Sequence, residues 1–180
     1  MSKRQDILNA AEAAFERKGF HAVPVDQIIS GAGVSPRTLY AHFPSKEALA
    51  VAVLEERHRR YLDKMEEALD AADPLAALFG YLEAWLRGSR SPGCLFLRAL
   101  GEFGEVAVSP SVNSYKTELR ALVARLVARQ GGGEAEADEI FLLVEGATAL
   151  APNLGPERAV AAARRAAERL LNGKPPGETV

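Results

Sequence analysis

The chain has 180 residues, of which 48% are hydrophobic and 26% charged, with a formal net charge of −2 at pH 7. This apolar fraction predicts a buried core and excludes a disordered chain. The single cysteine excludes an intrachain disulfide and a cysteine metal cluster. No signal segment opens the chain, and no apolar run approaches the roughly 20 residues of a membrane span. We therefore expect a soluble, cytoplasmic protein without membrane contact, metal or cofactor.

The first predicted helix begins after Ser2 and ends at Gly19. Ser2, with Gln5 three residues later, resembles a capping box. Apolar residues then recur at helical spacing, at Ile7, Ala11, Ala14 and Phe15. We expect this helix to pack across the next two and to complete a three-helix domain over residues 1–46. Lys and Arg outnumber Asp and Glu in this range, whereas the rest of the chain has the opposite excess.

A short helix over Val25–Ala32 is predicted next, followed by a tight turn. Gly33 ends this helix, because glycine adopts a left-handed backbone at least cost. Val34 is expected to be the buried residue of the turn.

A second short helix follows the turn and ends near His42. Ser35 is a favourable N-cap, and Pro36 suits the first helical position, where no backbone donor is needed. Leu39 and Phe43, four residues apart, form its apolar face. Two short helices joined by a glycine turn are typical of the helix-turn-helix, which places its second helix in the DNA major groove.

The polar residues of the second helix fit such a role. Arg37, Thr38, Tyr40 and His42 lie off the apolar face, and Arg and Thr side chains can reach base edges. Arg37 and Lys46 each lie in the first turn of a helix, where the macrodipole disfavours a cation by about 0.3–1 kcal/mol. A bound phosphate would reverse this penalty. Ordinary exposed side chains remain an equal alternative for both residues.

The stretch GFHAVPVDQIISGAGVSPRTLYAHFPSKEAL resembles the DNA-binding signature of the TetR family of bacterial repressors. The matching residues are Gly19, Phe20, Val25, Ile28, Ala32, Gly33, Val34, Ser35, Thr38, Leu39, Tyr40, His42, Phe43, Lys46, Glu47 and Leu49. The resemblance covers roughly the first quarter of the chain. It implies that the second motif helix reads the major groove and that Tyr40, His42 and Lys46 contact the DNA backbone. The predicted DNA-binding residues are Ser35, Pro36, Arg37, Thr38, Tyr40, His42 and Lys46.

The sequence departs from the family pattern in three places. Val23 replaces the usual Thr or Ser cap of the first motif helix, and Ile29 replaces the usual Ala. Both changes bear on the local geometry of the motif. Pro36 and Arg37 replace a common Lys-Gly pair, which leaves the operator sequence open.

The rest of the chain is predicted to be helical, so the fold class is all-α with about nine helices. Asp73 and Pro74 form a cap and first-position pair, and residues 131–133 are a glycine break. The predicted helices cover residues 45–72, 74–87, 94–104, 112–130, 135–151 and 156–171, with a break at 88–93, a loop at 106–110 and a loose tail at 174–180. Residues 47–173 are expected to form a larger helical domain for ligand binding and dimerisation.

The resemblance implies a homodimer on a palindromic double-stranded operator and a small-molecule effector that releases it. The expected dimer surface is the last helix pair, through Ile140, Phe141, Val144, Ala147, Val160, Ala163, Ala167 and Leu170.

The expected pocket has apolar walls, with few polar groups. Its walls are Tyr61, Met65, Tyr81, Trp85, Phe96, Phe103 and Tyr115, and its polar points are Cys94, Arg98 and Glu102. In both sets, ordinary core packing remains the alternative.

Three further interpretations concern mechanism and class. Cys94 is either a reactive thiolate at a helix N-terminus or a buried structural cysteine. Ligand binding is expected to tilt the helix over residues 45–72 and so change the spacing of the DNA-reading helices.

The three histidines, His21, His42 and His58, lack zinc-site spacing, and no nucleophile elbow or phosphate loop is present, so we expect no enzyme. A helical small-molecule-binding or scaffolding dimer without DNA binding is the alternative function.

Overall fold

The computed structural model describes residues 2–88, 94–103 and 105–173, with the side chains of 105–112 excepted. Every regular element in these ranges is helical, which confirms the all-α prediction. The α-helices are α1 Lys3–Lys18, α2 Val25–Ala32, α3 Pro36–His42, α4 Lys46–Glu67, α5 Pro74–Gly88, α6 Leu95–Phe103, α7 Glu105–Arg129, α8 Glu134–Leu154 and α9 Pro156–Asn172, and a 3₁₀ helix covers Ala68–Asp70. Among the described helices, none combines the length and the apolar character that crossing a bilayer requires.

The chain divides into two compact units. The first comprises Met1–Tyr61 and Ser89–Tyr115, and the second comprises Leu62–Gly88 and Lys116–Val180. The first unit therefore contains α1 to α3, most of α4, all of α6 and the beginning of α7. Compactness does not locate a function, so the functional boundary at residue 46 stays a prediction.

The N-terminal helices of the first unit form the expected three-helix arrangement, with α1 packed on both α2 and α3. The Ser2 hydroxyl accepts a 3.3 Å hydrogen bond from the Gln5 backbone N–H, while the Gln5 side chain donates to Asn9. Only half of the predicted capping box therefore forms. The N–H of Gly19 donates to the Phe15 carbonyl and ends α1, and Phe15 is fully buried.

Helix α4 ends at Glu67, before the predicted end near residue 72. The backbone of Ala71 is extended, and its N–H donates to the Ala68 carbonyl of the 3₁₀ turn. Asp73 then accepts a 2.9 Å hydrogen bond from the N–H of Ala76 and caps α5, as expected. The end of α4 thus tightens into a 3₁₀ turn, as is frequent at helix ends, and the chain becomes extended before α5.

Helix α7 begins at Glu105, so the prediction of a loop at 106–110 and a helix start at 112 was wrong. Helix α8 likewise continues through Pro152 to Leu154, beyond the predicted end at 151. An interior proline lacks a backbone donor and its ring crowds the carbonyl four residues earlier, but its φ is helical, and α8 accommodates Pro152 two residues before its end. Residues 89–93 of the predicted break and the predicted tail at 174–180 lie outside the described residues.

In the second unit, α8 and α9 pack along each other and α5 packs on both. The predicted glycine break joins α7 to α8, with Gly131 in a positive-φ conformation (φ 79°). Ion pairs connect the helices: Lys116 of α7 pairs with Glu145 of α8, and Arg120 donates 2.7 Å hydrogen bonds to Glu134 and Asp138. These two carboxylates raise the pKa of Arg120 above its ordinary value.

Candidate nucleic-acid interface

The turn between α2 and α3 has the geometry that its sequence predicts. Gly33 is left-handed (φ 62°, ψ 38°), and its N–H donates to the Ser30 carbonyl at 3.3 Å. The N–H of Val34 donates to the Ile29 carbonyl at 3.2 Å. Val34 itself is only half-buried, so its expected full burial was wrong, because the neighbouring turn residues are exposed and leave one side of it open.

Helix α3 begins with a cap that also fixes a predicted DNA-binding side chain. The Ser35 hydroxyl accepts a 3.1 Å hydrogen bond from the Thr38 N–H, and the Ser35 and Thr38 hydroxyl oxygens are 2.9 Å apart. Pro36 occupies the first helical position, as predicted. Ser35 therefore both starts the helix and orients the Thr38 hydroxyl.

The two faces of α3 differ sharply. Leu39 and Phe43 are 1% and 3% exposed and belong to the core. Arg37 and His42 are exposed, and Tyr40 keeps 52% of its surface accessible. The buried face fixes the helix, and the polar face is left available for an external partner.

Helix α2 begins without the usual side-chain cap, because Val23 and Pro24 precede it. The Val23 side chain is fully buried, and its N–H donates to the Phe20 carbonyl at 3.4 Å. Pro24 occupies the N-cap position and makes no side-chain capping bond. At this position the chain contributes apolar burial to the core instead of a cap hydrogen bond.

Lys46, at the start of α4, has a specific partner. Its Nζ donates a 3.2 Å hydrogen bond to the carbonyl oxygen of His21, in the loop between α1 and α2. The Ser45 hydroxyl accepts from the Ala48 N–H and caps α4, as predicted. An ammonium group has three N–H donors, so the bond to His21 leaves two for other acceptors.

The same loop is held from its other side by α6. The His21 N–H donates a 2.6 Å hydrogen bond to Glu102 Oε2, and Arg98 Nε donates a 3.0 Å bond to Glu102 Oε1. The ring of Phe103 lies 5.3 Å from that of Phe20 and 5.2 Å from the His21 imidazole, between centroids. Sequence reasoning placed Arg98, Glu102 and Phe103 around a ligand pocket, whereas the structure places them against this loop.

The charge state of Glu102 follows from these contacts. Burial raises the pKa of its carboxyl group, but hydrogen bonds from the His21 N–H and the Arg98 side chain outweigh burial and hold the pKa below its ordinary value. Glu102 is therefore ionised at neutral pH and accepts both bonds as a carboxylate.

A second feature that sequence reasoning missed is Arg4. Its guanidinium carbon lies 5.4 Å from the centroid of the Phe43 ring, a cation–π distance, and the side chain is exposed. This brings a cation from α1 next to the C-terminal end of α3. No local sequence pattern pairs Arg4 with Phe43, because the contact joins two different helices.

Three of the predicted ligand-contacting residues come together in the first unit. Phe96 and Tyr115 stack with ring centroids 4.2 Å apart, and the Tyr61 ring lies 6.1 Å from that of Tyr115. All three are at most 6% exposed. His58, which was not predicted to contact ligand, lies edge-on to Tyr115 at 5.1 Å. Cys94 is half-buried and immediately precedes α6.

Three other predicted ligand-contacting residues belong to the second unit. Met65 is fully buried, and Tyr81 and Trp85 are half-buried. The Lys64 ammonium lies 5.9 Å from the Tyr81 ring centroid.

The residues chosen as the dimer surface are mostly core residues of the single chain. Ile140, Val144, Ala147, Val160, Ala163 and Ala167 are all at most 6% exposed, and Phe141 and Leu170 are half-buried. The six buried residues offer no exposed surface in the single chain, and a role of Phe141 and Leu170 in a dimer stays a prediction. The exposed large apolar residues of α8 are instead Leu142, Leu150 and Leu154, at 67%, 51% and 41%. Their spacing places them along one side of the helix.

Comparison with known proteins gives a family match over the same region. Residues 7–53 match the family model of bacterial regulatory proteins, tetR family. The transcriptional regulator RutR of Escherichia coli K12 is 39% identical over 89 residues, which are 49% of this chain and 42% of RutR. UidR of the same organism is 40% identical over 67 residues, 37% of this chain and 34% of UidR. The chain thus matches less than half the length of these curated relatives.

Solved structures extend the likeness to nearly the whole chain. SCO4454, a TetR-family transcriptional regulator from Streptomyces coelicolor, has a TM-score of 0.86 at 26% identity over 95% of both chains. Reduced NemR from E. coli has a TM-score of 0.79 at 19% identity, over 94% of this chain and 97% of NemR. At this lower identity the likeness concerns the fold alone.

Proposed function

Because the chain belongs to the TetR family of bacterial regulatory proteins, we propose that it is a sequence-specific, DNA-binding transcriptional regulator. The observation that carries this proposal is the exposed polar face of α3, opposite the buried Leu39 and Phe43 and after a left-handed glycine turn. A helix fixed on one side and polar on the other is suited to the major groove. The relatives RutR and UidR are themselves named as transcriptional regulators.

The proposed contacts divide into two kinds. Arg37 and Thr38, on the polar face of α3, are assigned to base edges, and Ser35 with Pro36 fixes where that helix begins. Tyr40, His42 and Lys46 are assigned to phosphates, and Arg4 joins them because its guanidinium lies beside α3. Phosphate contacts set the register of the protein on the duplex, and base contacts supply its sequence preference.

We further propose that the protein acts as a homodimer on a palindromic operator. One helix-turn-helix makes few phosphate contacts, and dimers of this type bind half-sites about 34–36 Å apart. The proposed contact is the side of α8 that carries Leu142, Leu150 and Leu154, which a two-fold axis would place against the same side of a second copy. Three large apolar side chains exposed along one helix favour such an interface.

The proposed effector is a small molecule that binds residues 47–173 and releases the protein from DNA, with residues 1–46 as the DNA-binding domain. Tyr61, Phe96 and Tyr115 form a buried aromatic cluster in the first unit, and an effector that entered this cluster would be apolar or aromatic. An effector changes DNA affinity only through its different affinities for the two conformations.

The test is selection of bound DNA from a random duplex pool at several stated salt concentrations, because phosphate-driven affinity depends on salt. The expected result is a palindromic sequence that Arg37→Ala protein no longer enriches. Protein that has been unfolded and refolded to remove any co-purified ligand is selected in parallel. If neither sample enriches any sequence, the proposal is wrong and the scaffolding or ligand-binding alternative is favoured.

A further inference from the structure

We propose that Glu102 of α6 is a positioning residue for DNA binding, which acts through the peptide of His21 on Lys46. This inference rests on the proposed function, because it assigns a structural cause to one of its phosphate contacts. The inference also identifies α6 as the element that regulates this contact. A change in the position of α6 would change how strongly Lys46 binds a DNA phosphate.

The contacts form a continuous series. Glu102 Oε2 accepts from the N–H of His21 at 2.6 Å, and the carbonyl of the same residue accepts from Lys46 Nζ at 3.2 Å. The His21 imidazole Nε2 also contacts the Glu102 carbonyl oxygen. One residue of the loop therefore connects a carboxylate of α6 with an ammonium group at the N-terminus of α4.

Two features hold the α6 side of this series in place. Arg98, one turn earlier on α6, donates to Glu102 Oε1 and so fixes the carboxylate against the loop. The Arg98 and Glu102 side chains also occupy the space that a Cβ at position 19 would need, and Gly19 has φ 84°. The backbone angle favours glycine here, and a Cβ would displace the ends of the Arg98 and Glu102 side chains.

The expected effect on DNA binding is one of pre-organisation. A free lysine side chain loses rotamer freedom when it binds a phosphate, and this loss reduces affinity. Lys46 already has one N–H held by the His21 carbonyl, so less freedom remains to be lost. If Glu102 no longer holds the loop, the carbonyl moves and Lys46 is no longer oriented.

The direction of the change in DNA affinity distinguishes positioning by Glu102 from a simple effect of its charge. Removing a carboxylate from a DNA-binding protein makes it more positive and by itself increases affinity for DNA. Positioning predicts the opposite for Glu102→Ala, namely a decrease in affinity of about 3- to 30-fold, which lies within the range that coupling between neighbouring residues produces. Glu55→Ala, which removes an exposed carboxylate of α4 in the same unit, is the matched control and is expected to bind as tightly as wild type or more tightly.

The experiment measures binding of the selected operator by fluorescence anisotropy across salt concentrations, for wild type, Glu102→Ala, Lys46→Ala and the double variant. Glu102→Ala is expected to reduce the salt slope by about 0.9 for each phosphate that Lys46 no longer neutralises. It is expected to have little further effect in the Lys46→Ala background, because both changes remove the same interaction with DNA. Glu102→Gln keeps an acceptor for the His21 N–H and is expected to retain the wild-type slope.

Three results would overturn the inference: Glu102→Ala that binds like Glu55→Ala, additive effects in the double variant, or Glu102→Gln as weak as Glu102→Ala. Thermal unfolding of every variant shows whether the first unit remains folded at the assay temperature. Failure of the proposed function would differ, because the wild-type protein would then select no operator at all.

Discussion

The Arg57 guanidinium, on α4, donates a 2.7 Å hydrogen bond to the Glu16 carboxylate, on α1, and both residues are at most 8% exposed. Arg57 also donates to Glu12, at 2.8 Å, and Glu12 accepts from Arg60. Two carboxylates of α1 are thus neutralised by two arginines of α4. Charged contacts therefore join α4 to α1.

Arg57→Ala is expected to lower the free energy of unfolding by about 3–5 kcal/mol, because it removes the arginine that pairs with the buried Glu16 and one of the two arginines that pair with Glu12. Arg59→Ala is the matched control. Arg59 is 60% exposed and pairs with Glu56 of its own helix, so the expected cost is below about 1 kcal/mol. Urea unfolding followed by circular dichroism measures both, and equal losses would contradict the prediction.

Ser35→Ala is expected to destabilise the protein by about 1 kcal/mol through loss of the α3 cap. It also frees the Thr38 hydroxyl that Ser35 now holds at 2.9 Å, so operator affinity is expected to fall. Ser45→Ala removes the cap of α4 and leaves α3 intact, which makes it the control. The two variants are expected to be similarly stable, but Ser35→Ala is expected to bind the operator more weakly than Ser45→Ala. Equal operator affinity of the two variants would count against a role for Thr38.

Arg4→Ala is expected to weaken operator binding and to reduce the salt slope by about 0.9 for each phosphate that Arg4 neutralises. The fold is expected to remain intact, since an exposed cation–π contact contributes only about 0.5–1 kcal/mol. Arg165→Ala, an exposed arginine of α9, removes the same charge elsewhere. If the salt slope of Arg4→Ala is the same as that of wild type and of this control, Arg4 does not contact the DNA backbone.

Leu150→Glu is expected to convert a homodimer into monomers, because it introduces a charge into the centre of the proposed α8 contact. Leu97→Glu is the matched control, since Leu97 on α6 is 49% exposed and Leu150 is 51% exposed. Sedimentation velocity at several concentrations distinguishes the two states. Dimeric Leu150→Glu protein would show that subunits associate through another surface.

Glu102 is expected to contribute to the acid sensitivity of the protein. Its pKa in the folded protein lies below its ordinary value of 4.5, so its stabilising contribution is present above that value. The contribution is lost as the pH falls through the lower, folded-state pKa. The difference in unfolding free energy between wild type and Glu102→Gln is therefore expected to shrink below pH 4.5. A difference independent of pH would show that the charge of Glu102 does not stabilise the fold.

Much of the helix-turn-helix follows from residues close together in the chain. Ser35 and Thr38 form a cap because they are three positions apart, and Gly33 takes up a left-handed turn that few other residues adopt cheaply. Leu39 and Phe43 lie on one face because of their spacing. Each feature depends on a single turn of backbone, so the sequence alone determined α2, the turn, α3 and the polar face of α3.

The tertiary structure decided which distant residues meet. Glu102 contacts a loop 81 positions away, and the Arg4–Phe43 contact joins two helices. Ile140 and Leu142 are both apolar in the sequence, yet one is fully buried and the other 67% exposed. The physical reason is that helical spacing shows which side chains share a face, whereas burial depends on the partner that covers it. The sequence therefore determined most of the helices and the polar face of α3, and only the packing of the helices decided what holds that face in place.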